Sequence, residues 1–406
     1  VRVALVAETF HPDVNGVSNS VSRVCEHLAR RGHHALVIAP GRPGGRETHR
    51  GHPVVRVPSF RPPGYRSVQL GRPGASLAGI LAGFAPDVVH LASPALLGYA
   101  GARAADELGV PAVAVFQTDL AGFVTRYHLS AARPLVWRHL RRLHGLAALT
   151  LVPSTATAWL LRRHGIAPVA RWGRGVDLDA FHPRHRSPTL RASLAPAGTV
   201  LVGYVGRLAA EKRVHLLATL TDIPGVQVVI VGDGPARPAL ERRLPGAVFL
   251  GFRDGQELSA VLASLDVFVH PGADETFCQA AQEALAAGVP VVATARGGPL
   301  DLVRHGENGW LWTDDDAGLL REQVAALAAD PALRAAMARR ARASVAGRTW
   351  QRLGDELLDH YRSVLPGAAP PAGTVLTGTG LAATGLAGAG LAARSGASVG
   401  STGGSR

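Results

Sequence analysis

The sequence predicts an α/β fold made of two doubly wound units facing a shared cleft. Two observations carry that prediction. Strand-length apolar runs alternate with helical patterns from the first residue, and the alternation stops at a proline-rich stretch, Phe181–Gly198, before starting again. Strands separated by helices form parallel sheets with helices on both faces, and ligands collect at the carboxyl ends of such strands. A length of 406 residues is enough for two cores of this kind.

In the first unit Val3–Ala7 reads as a strand, Glu8–Gly16 as a loop and Val17–Arg31 as a helix that Gly32 stops. Ala35–Ala39, Asp87–Leu91, Ala112–Phe116 and Leu149–Val152 continue the strands, with helical patterns at Ala95–Leu108, Ala131–His144 and Thr155–His164. Pro183, Pro188 and Pro196 then break the series. The second unit has strands at Val200–Val205, Val226–Val231, Val248–Leu250, Val267–His270 and Val291–Thr294. Its helices are Glu211–Thr221, Pro235–Arg243, Gln256–Ser264 and Phe277–Ala287. Ala317–Ala329 and Pro331–Ala346 follow as alanine- and arginine-rich helices. Trp350–Val364 is amphipathic and long enough to cross back onto the first unit. The expected organisation is a first domain 1–182, a linker 183–198, a second domain 199–346, a returning helix 347–365 and a tail 366–406. In the tail Leu376, Leu381, Leu386 and Leu391 repeat every five residues, a period of neither helix nor strand, and disorder is expected there.

Composition narrows the function classes. With 47% hydrophobic and 18% charged residues the chain is of ordinary globular type. Cys25 and Cys278 make no disulfide or metal framework, and no CxxC pair, HExxH stretch or acidic calcium loop occurs, so no metal is expected. Val3–Ala7 runs straight into Glu8, so neither a leader peptide nor a spanning helix is expected at the start. Residues 1–187 carry 23 arginines and no lysine against 10 acidic residues; residues 188–364 carry 18 basic against 20 acidic residues. A basic first half beside a nearly neutral second half suggests contact with an anionic surface, although a GC-rich coding sequence produces the same arginine bias. Few aromatics interleave with those arginines, and nucleic acid is not an expected partner.

The second unit is organised around Pro271–Gly288, P-G-A-D-E-T-F-C-Q-A-A-Q-E-A-L-A-A-G. Asp274-Glu275-Thr276 precede a helix start, where free N–H groups and the positive end of the helix dipole suit an anion or sugar hydroxyls. Glu275 and Glu283 are eight residues apart, just over two turns of about 3.6 residues, and can face one cleft from two depths. The same pattern also fits a plain N-terminal cap with a solvated second glutamate. Three further stretches point toward that cleft. Pro12–Val17 lies at the carboxyl end of the first strand and the start of the first helix, with Gly16 open to close approach. Val205–Lys212 offers Arg207 and Lys212, which suit a diphosphate or are solvated surface charges. Val231–Pro235 is a glycine turn that is neither a GxGxxG fingerprint nor a Walker A run, which weakens nicotinamide and ATPase readings.

Together these stretches resemble the retaining glycosyltransferases of the two-Rossmann-domain GT-B type, in the large group-4 family. The resemblance covers residues 1 to about 364: the E-x7-E signature is Glu275 through Glu283, the G-R-x4-K stretch is Gly206 through Lys212, and the glycine loop is Asn15-Gly16-Val17. More narrowly, E-T-F-C-Q-A-A-Q-E, F-Q-T-D and G-G-P-L-D-L-V resemble actinobacterial GDP-mannose-dependent α-mannosyltransferases acting on glycolipids or phosphatidylinositol mannosides.

The resemblance implies that Arg207 and Lys212 bind the donor diphosphate, with Asn15 and Gly16 closing on it from the other domain. It implies that Glu275, Thr276 and the N–H groups of Phe277 and Cys278 hold the sugar, that Glu283 holds the ribose, and that Gly251-Phe252-Arg253 take the base. Relatives often carry a histidine in the Phe116–Asp119 stretch; this chain has Gln117, with Asp119 as a candidate acceptor base. The implied reaction is metal-independent front-face transfer of an α-mannosyl group from GDP-mannose to a lipid or glycolipid acceptor. Transfer from a UDP-sugar to a small soluble acceptor, or a nucleotide-sugar epimerase of the same fold, are the alternatives. The helix Ala131–His144 interleaves Arg133, Arg138, His139, Arg141 and Arg142 with Leu135, Val136, Trp137, Leu140 and Leu143, as for a helix lying on an anionic bilayer. The expected location is cytoplasmic, peripheral to the inner face of the plasma membrane.

Overall fold

The computed structural model describes residues 1–13, 15–42, 47–60, 70–71, 76–119, 122, 130–313 and 316–367. The leucine-bearing tail from 368 onward lies outside them. Among the described residues ten strands belong to the first half: β1 (Arg2–Val6), β2 (His34–Pro40), β3 (Glu47–His49), β4 (His52–Val57), β5 (Ser59–Phe60), β6 (Leu70–Gly71), β7 (Val88–Leu91), β8 (Ala112–Val115), β9 (Leu149–Val152) and β10 (Val169–Arg171). Eight of them form one sheet in the order β10-β9-β8-β7-β1-β2-β4-β3, parallel except for β3, which runs antiparallel to β4; β5 and β6 make a separate two-stranded ribbon.

β1 explains why its sequence is apolar without alternation. Val3 and Leu5 pack on one face against helix α1 (Gly16–Arg30), while Ala4 and Val6 pack on the other with α2 (Ser76–Phe84) and α3 (Leu96–Glu107). A strand covered on both faces has no solvent side to mark with polar residues.

The second sheet is all parallel: β11 (Val200–Val205), β12 (Val226–Val231), β13 (Val248–Gly251), β14 (Val267–His270), β15 (Val291–Thr294) and β16 (Gly309–Trp312), in the order β13-β12-β11-β14-β15-β16. In each sheet the winding reverses at one place, between β1 and β7 and between β11 and β14. The loops after those strands diverge and leave a crevice.

Four details differ from the sequence reading. The segment read as a linker carries a helix, Pro188–Leu194, whose Leu190 and Leu194 pack into the second core; Ser187 caps it, and Pro188 suits its first turn. Glu211–Thr221 is two 3₁₀ turns, Ala210–Lys212 and Val214–Leu220, separated by Arg213 at φ 52°. Val214, Leu217 and Leu220 are the buried positions, a spacing of three that fits three residues per turn. The hairpin β3–β4, α2, β10 and β16 went unread because they are short or lack periodic contrast. Finally, the bilayer-facing stripe is a core stripe: in helix Arg133–Gly145, Trp137, Leu140 and Leu143 are buried, leaving Leu135 exposed beside Arg138, Arg141 and Arg142.

Helix Trp350–Ser363 returns to the first domain. Leu353, Leu357, Leu358 and Tyr361 share a core with Val3, Leu5 and Leu28. Trp172 donates from Nε1 to the Leu353 carbonyl at 2.8 Å, Tyr361 and His90 share a hydrogen bond of 2.7 Å, and Asp355 takes Arg31 Nε at 2.9 Å and His27 at 3.1 Å. Leu357→Ala should therefore destabilise the first domain by about 2–5 kcal/mol in urea unfolding; a loss under about 0.5 kcal/mol would show that the helix is not part of that core.

Candidate active site

The loop after β11 and the loop after β14 meet at the second switch point. Lys212 comes from the first and reaches Oε1 of Glu275 on the second. His270, the last residue of β14, places Nε2 at 3.0 Å from the same oxygen. Burial pushes the Glu275 carboxyl up, but the hydrogen bond and charge of His270, with those of Lys212, hold it well below the usual carboxylate range. Thr276 follows with its hydroxyl 3.4 Å from the carbonyl of Gln117, and its own carbonyl lies 3.4 Å from the Thr157 hydroxyl, so the loop touches the first domain.

The helix expected from Phe277 begins at Gln279; Cys278 is its N-cap at φ 78°, a left-handed conformation unusual for a non-glycine residue. The N–H groups of Phe277 and Cys278 therefore belong to a loop before the helix. That loop is braced by G-G-P-L-D-L-V: Gly298 N–H donates to the Glu275 carbonyl at 2.8 Å, and a Cβ on Gly298 would fall 2.2 Å from the Phe277 carbonyl oxygen. The turn Val231–Pro235 likewise lies against the loop after β11, since a Cβ on Gly232 would meet the Gly206 carbonyl at 2.0 Å. Its glycines brace the cation-bearing loop.

Across the cleft, Asn15 caps α1, its Oδ1 accepting from the N–H groups of Val17 and Ser18 at 3.0 Å each. Gly16 receives Arg174 at its carbonyl. The Arg174 and Gly175 carbonyls accept from Gln282 at 2.9 Å and Gln279 at 3.2 Å, and Gln279 also donates to Glu283 at 3.1 Å. Gly16, Arg174, Gln279 and Glu283 line one cavity of about 610 Å³ together with Arg23, His49 and Trp350. The structure thus joins Lys212 to Glu275 and brings Gly16 to the side of Glu283. Others hold local partners: Arg207 with Glu211, Arg253 with Glu257 at 3.3 Å, Asp119 with the Gly122 N–H at 2.8 Å. Phe252 is 62% exposed just beyond β13, an open ring face. Sequence reasoning missed His270 and Arg174. A histidine ending the strand before the glutamate loop was the available signal for the first; nothing marked the second. Among the described residues no His, Cys, Asp and Glu group is arranged to hold a metal ion, and no helix is long and apolar enough to cross a membrane.

Two family models match this arrangement: Glycosyltransferase Family 4 over residues 14–180 and Glycosyl transferases group 1 over residues 187–344. The chain is a family 4 glycosyltransferase. A GDP-mannose-dependent alpha-mannosyltransferase of Mycolicibacterium smegmatis is 51% identical over 369 residues, 90% of this chain and 98% of that protein. A GDP-mannose-dependent alpha-(1-6)-phosphatidylinositol dimannoside mannosyltransferase of Mycobacterium tuberculosis is 32% identical over 311 residues, 72% of this chain and 79% of that one. Among solved structures, sucrose-phosphate synthase from Thermosynechococcus elongatus superposes with a TM-score of 0.74 at 20% identity, covering 89% of this glycosyltransferase and 98% of that chain. The fold is GT-B.

Burial pushes Glu283 up to about 7, against the Gln279 hydrogen bond and the Arg174 charge. The folded glycosyltransferase then binds a proton that the unfolded chain has released between about pH 4.5 and 7, so this residue's contribution to stability falls as pH rises through that window. Glu283→Gln should exceed the native protein in thermal stability by much more at pH 8 than at pH 5; equal differences at both pH values would contradict the assignment.

Proposed function

We propose that the enzyme transfers an α-mannosyl group from GDP-mannose, with retention, to a lipid or glycolipid at an anionic membrane surface. The observation that carries this is the Lys212–Glu275 pair at the second switch point, in a chain half identical to an enzyme named for GDP-mannose. Arg207 and Lys212 take the diphosphate and stabilise its charge as the glycosidic bond breaks. Gly16 approaches from the first domain on the loop that Asn15 fixes. Glu275, Thr276 and the loop N–H groups of Phe277 and Cys278 hold the mannose, Glu283 holds the ribose, and Phe252 with Gly251 and Arg253 takes the base. No metal is required, and the acceptor attacks the face from which the diphosphate leaves, with Asp119 as the acceptor's base.

Incubated with GDP-mannose and a total lipid extract in EDTA, the enzyme should form a mannosylated lipid. Glu275→Gln and Lys212→Arg should each lower that rate by roughly 10²–10³ while circular dichroism stays native. The arginine variant keeps the charge but replaces a compact ammonium with a planar fork. Near-normal transfer in either variant would move the site elsewhere, and transfer from UDP-sugars alone would overturn the donor.

The membrane arm of the proposal rests on the exposed face of Arg133–Gly145, where Arg138, Arg141 and Arg142 stand with Leu135, and on Trp159, 49% exposed beneath Arg163 on the neighbouring helix. Cations near an anionic bilayer contribute about 1 kcal/mol each. Flotation should recover the enzyme with anionic vesicles at low salt and lose it at high salt or on replacing the three arginines with glutamine. Equal recovery with neutral vesicles would defeat this arm and leave mannosyl transfer standing.

A further inference from the structure

The transfer reading gives His270 no task, although it is buried at the site, 3% exposed. Its ring stacks on Tyr204 with centroids 5.9 Å apart and planes at 22°. Nε2 meets Oε1 of Glu275, the oxygen that also receives Lys212. One carboxylate oxygen thus carries two cationic donors. An ammonium held this way is not fixed to the carboxylate alone: a diphosphate entering the crevice competes for it with more negative charge. The imidazole is fixed by its strand, by the Tyr204 ring and by the tight turn at Gly272, where a Cβ would come within 3.0 Å of Nε2.

We infer that His270 is the positioning residue of this site: when Lys212 turns to the donor diphosphate, His270 stays on Oε1 and holds Glu275 as an oriented anion with Oε2 toward the transferred sugar. The inference rests on the transfer reading for the identity of the sugar nucleotide. The groups that act on the pair are Lys212 from the loop after β11 and Cys278 from the start of the following helix, while Tyr204 of β11, stacked on the ring, is itself under the charges of Glu275, Glu211 and Arg207. Burial works against both charges, but Cys278 and Glu275, by charge and hydrogen bonding, outweigh it at the imidazole and raise it to about 10.

Two substitutions separate orientation from charge. His270→Gln puts an uncharged N–H where Nε2 was; His270→Asn puts one near Nδ1 and leaves Glu275 Oε1 without it. Calorimetric titration with GDP, which lacks the sugar, gives the reference affinity of each protein, and native circular dichroism reports an intact fold. The preference for GDP-mannose over GDP should fall about 10-fold or more in His270→Asn and be largely restored in His270→Gln, the size expected for one hydrogen bond to a charged group. In both variants the acid limb of kcat/KM should move up toward the ordinary glutamate range near pH 4.3, because the imidazolium no longer stabilises the anion. A wild-type GDP-mannose preference in His270→Asn, or an unmoved acid limb in either variant, would overturn the inference. If His270→Asn does not fold, the acid limb of His270→Gln decides alone. If wild-type protein binds neither GDP nor GDP-mannose, the donor reading has failed separately, and the same comparison is run with whichever of UDP-glucose or ADP-glucose it binds.

Discussion

A buried carboxylate shared by two cations is the constraint on which the second domain's loops depend. An unpaired carboxylate at this depth would be protonated, and pairing it needs donors delivered at hydrogen-bond distance. The adjacent strands β11 and β14 supply them, because the winding reverses between them and their loops open in opposite directions. The rest of the loop follows. Cys278 takes a left-handed conformation so that the chain can leave Glu275 and still enter the helix at Gln279. Gly298 has no side chain because the Phe277 carbonyl occupies its place, and Gly232 is bare for the same reason against Gly206. Motifs that look like separate signatures in the sequence are one packing solution.

Lys212 is the chain's single lysine beside 42 arginines. Elsewhere a guanidinium suffices: Arg31 on Asp355, Arg186 on Asp266 and Arg342 on the carbonyls of Phe181 and Leu178 are all served by its fork. At Glu275 a second donor already lies 3.0 Å from the receiving oxygen. An ammonium is compact and has further N–H groups beyond the one given to the carboxylate, whereas a guanidinium presents its donors in a rigid plane.

Much of this was legible in the sequence, and the exceptions share a cause. Strands buried on both faces announce themselves as apolar runs, so β1, β8, β9, β11 and β12 were placed within a residue or two. The glutamate pair, Lys212 and Gly16 were legible because their spacing is fixed by the elements that carry them. What failed depends on contacts between distant residues. Trp137, Leu140 and Leu143 look amphipathic beside their arginines, and only the neighbouring strands β8 and β9 show that they face the core. Pro188 reads as a breaker unless Ser187 is seen capping the turn it begins. His270 carried no periodic signal, since a single residue at a strand end gains meaning only from what stands across the loop.

The returning helix has a consequence for synthesis. The first domain's sheet is complete by Arg171, yet the face of β1 that holds Val3 and Leu5 is closed by Leu353, Leu357 and Tyr361. A chain emerging from the ribosome therefore carries an open apolar face while its entire second domain is being made, and the half translated first is the half finished last. Such a face is a natural substrate for a chaperone that binds nascent chains.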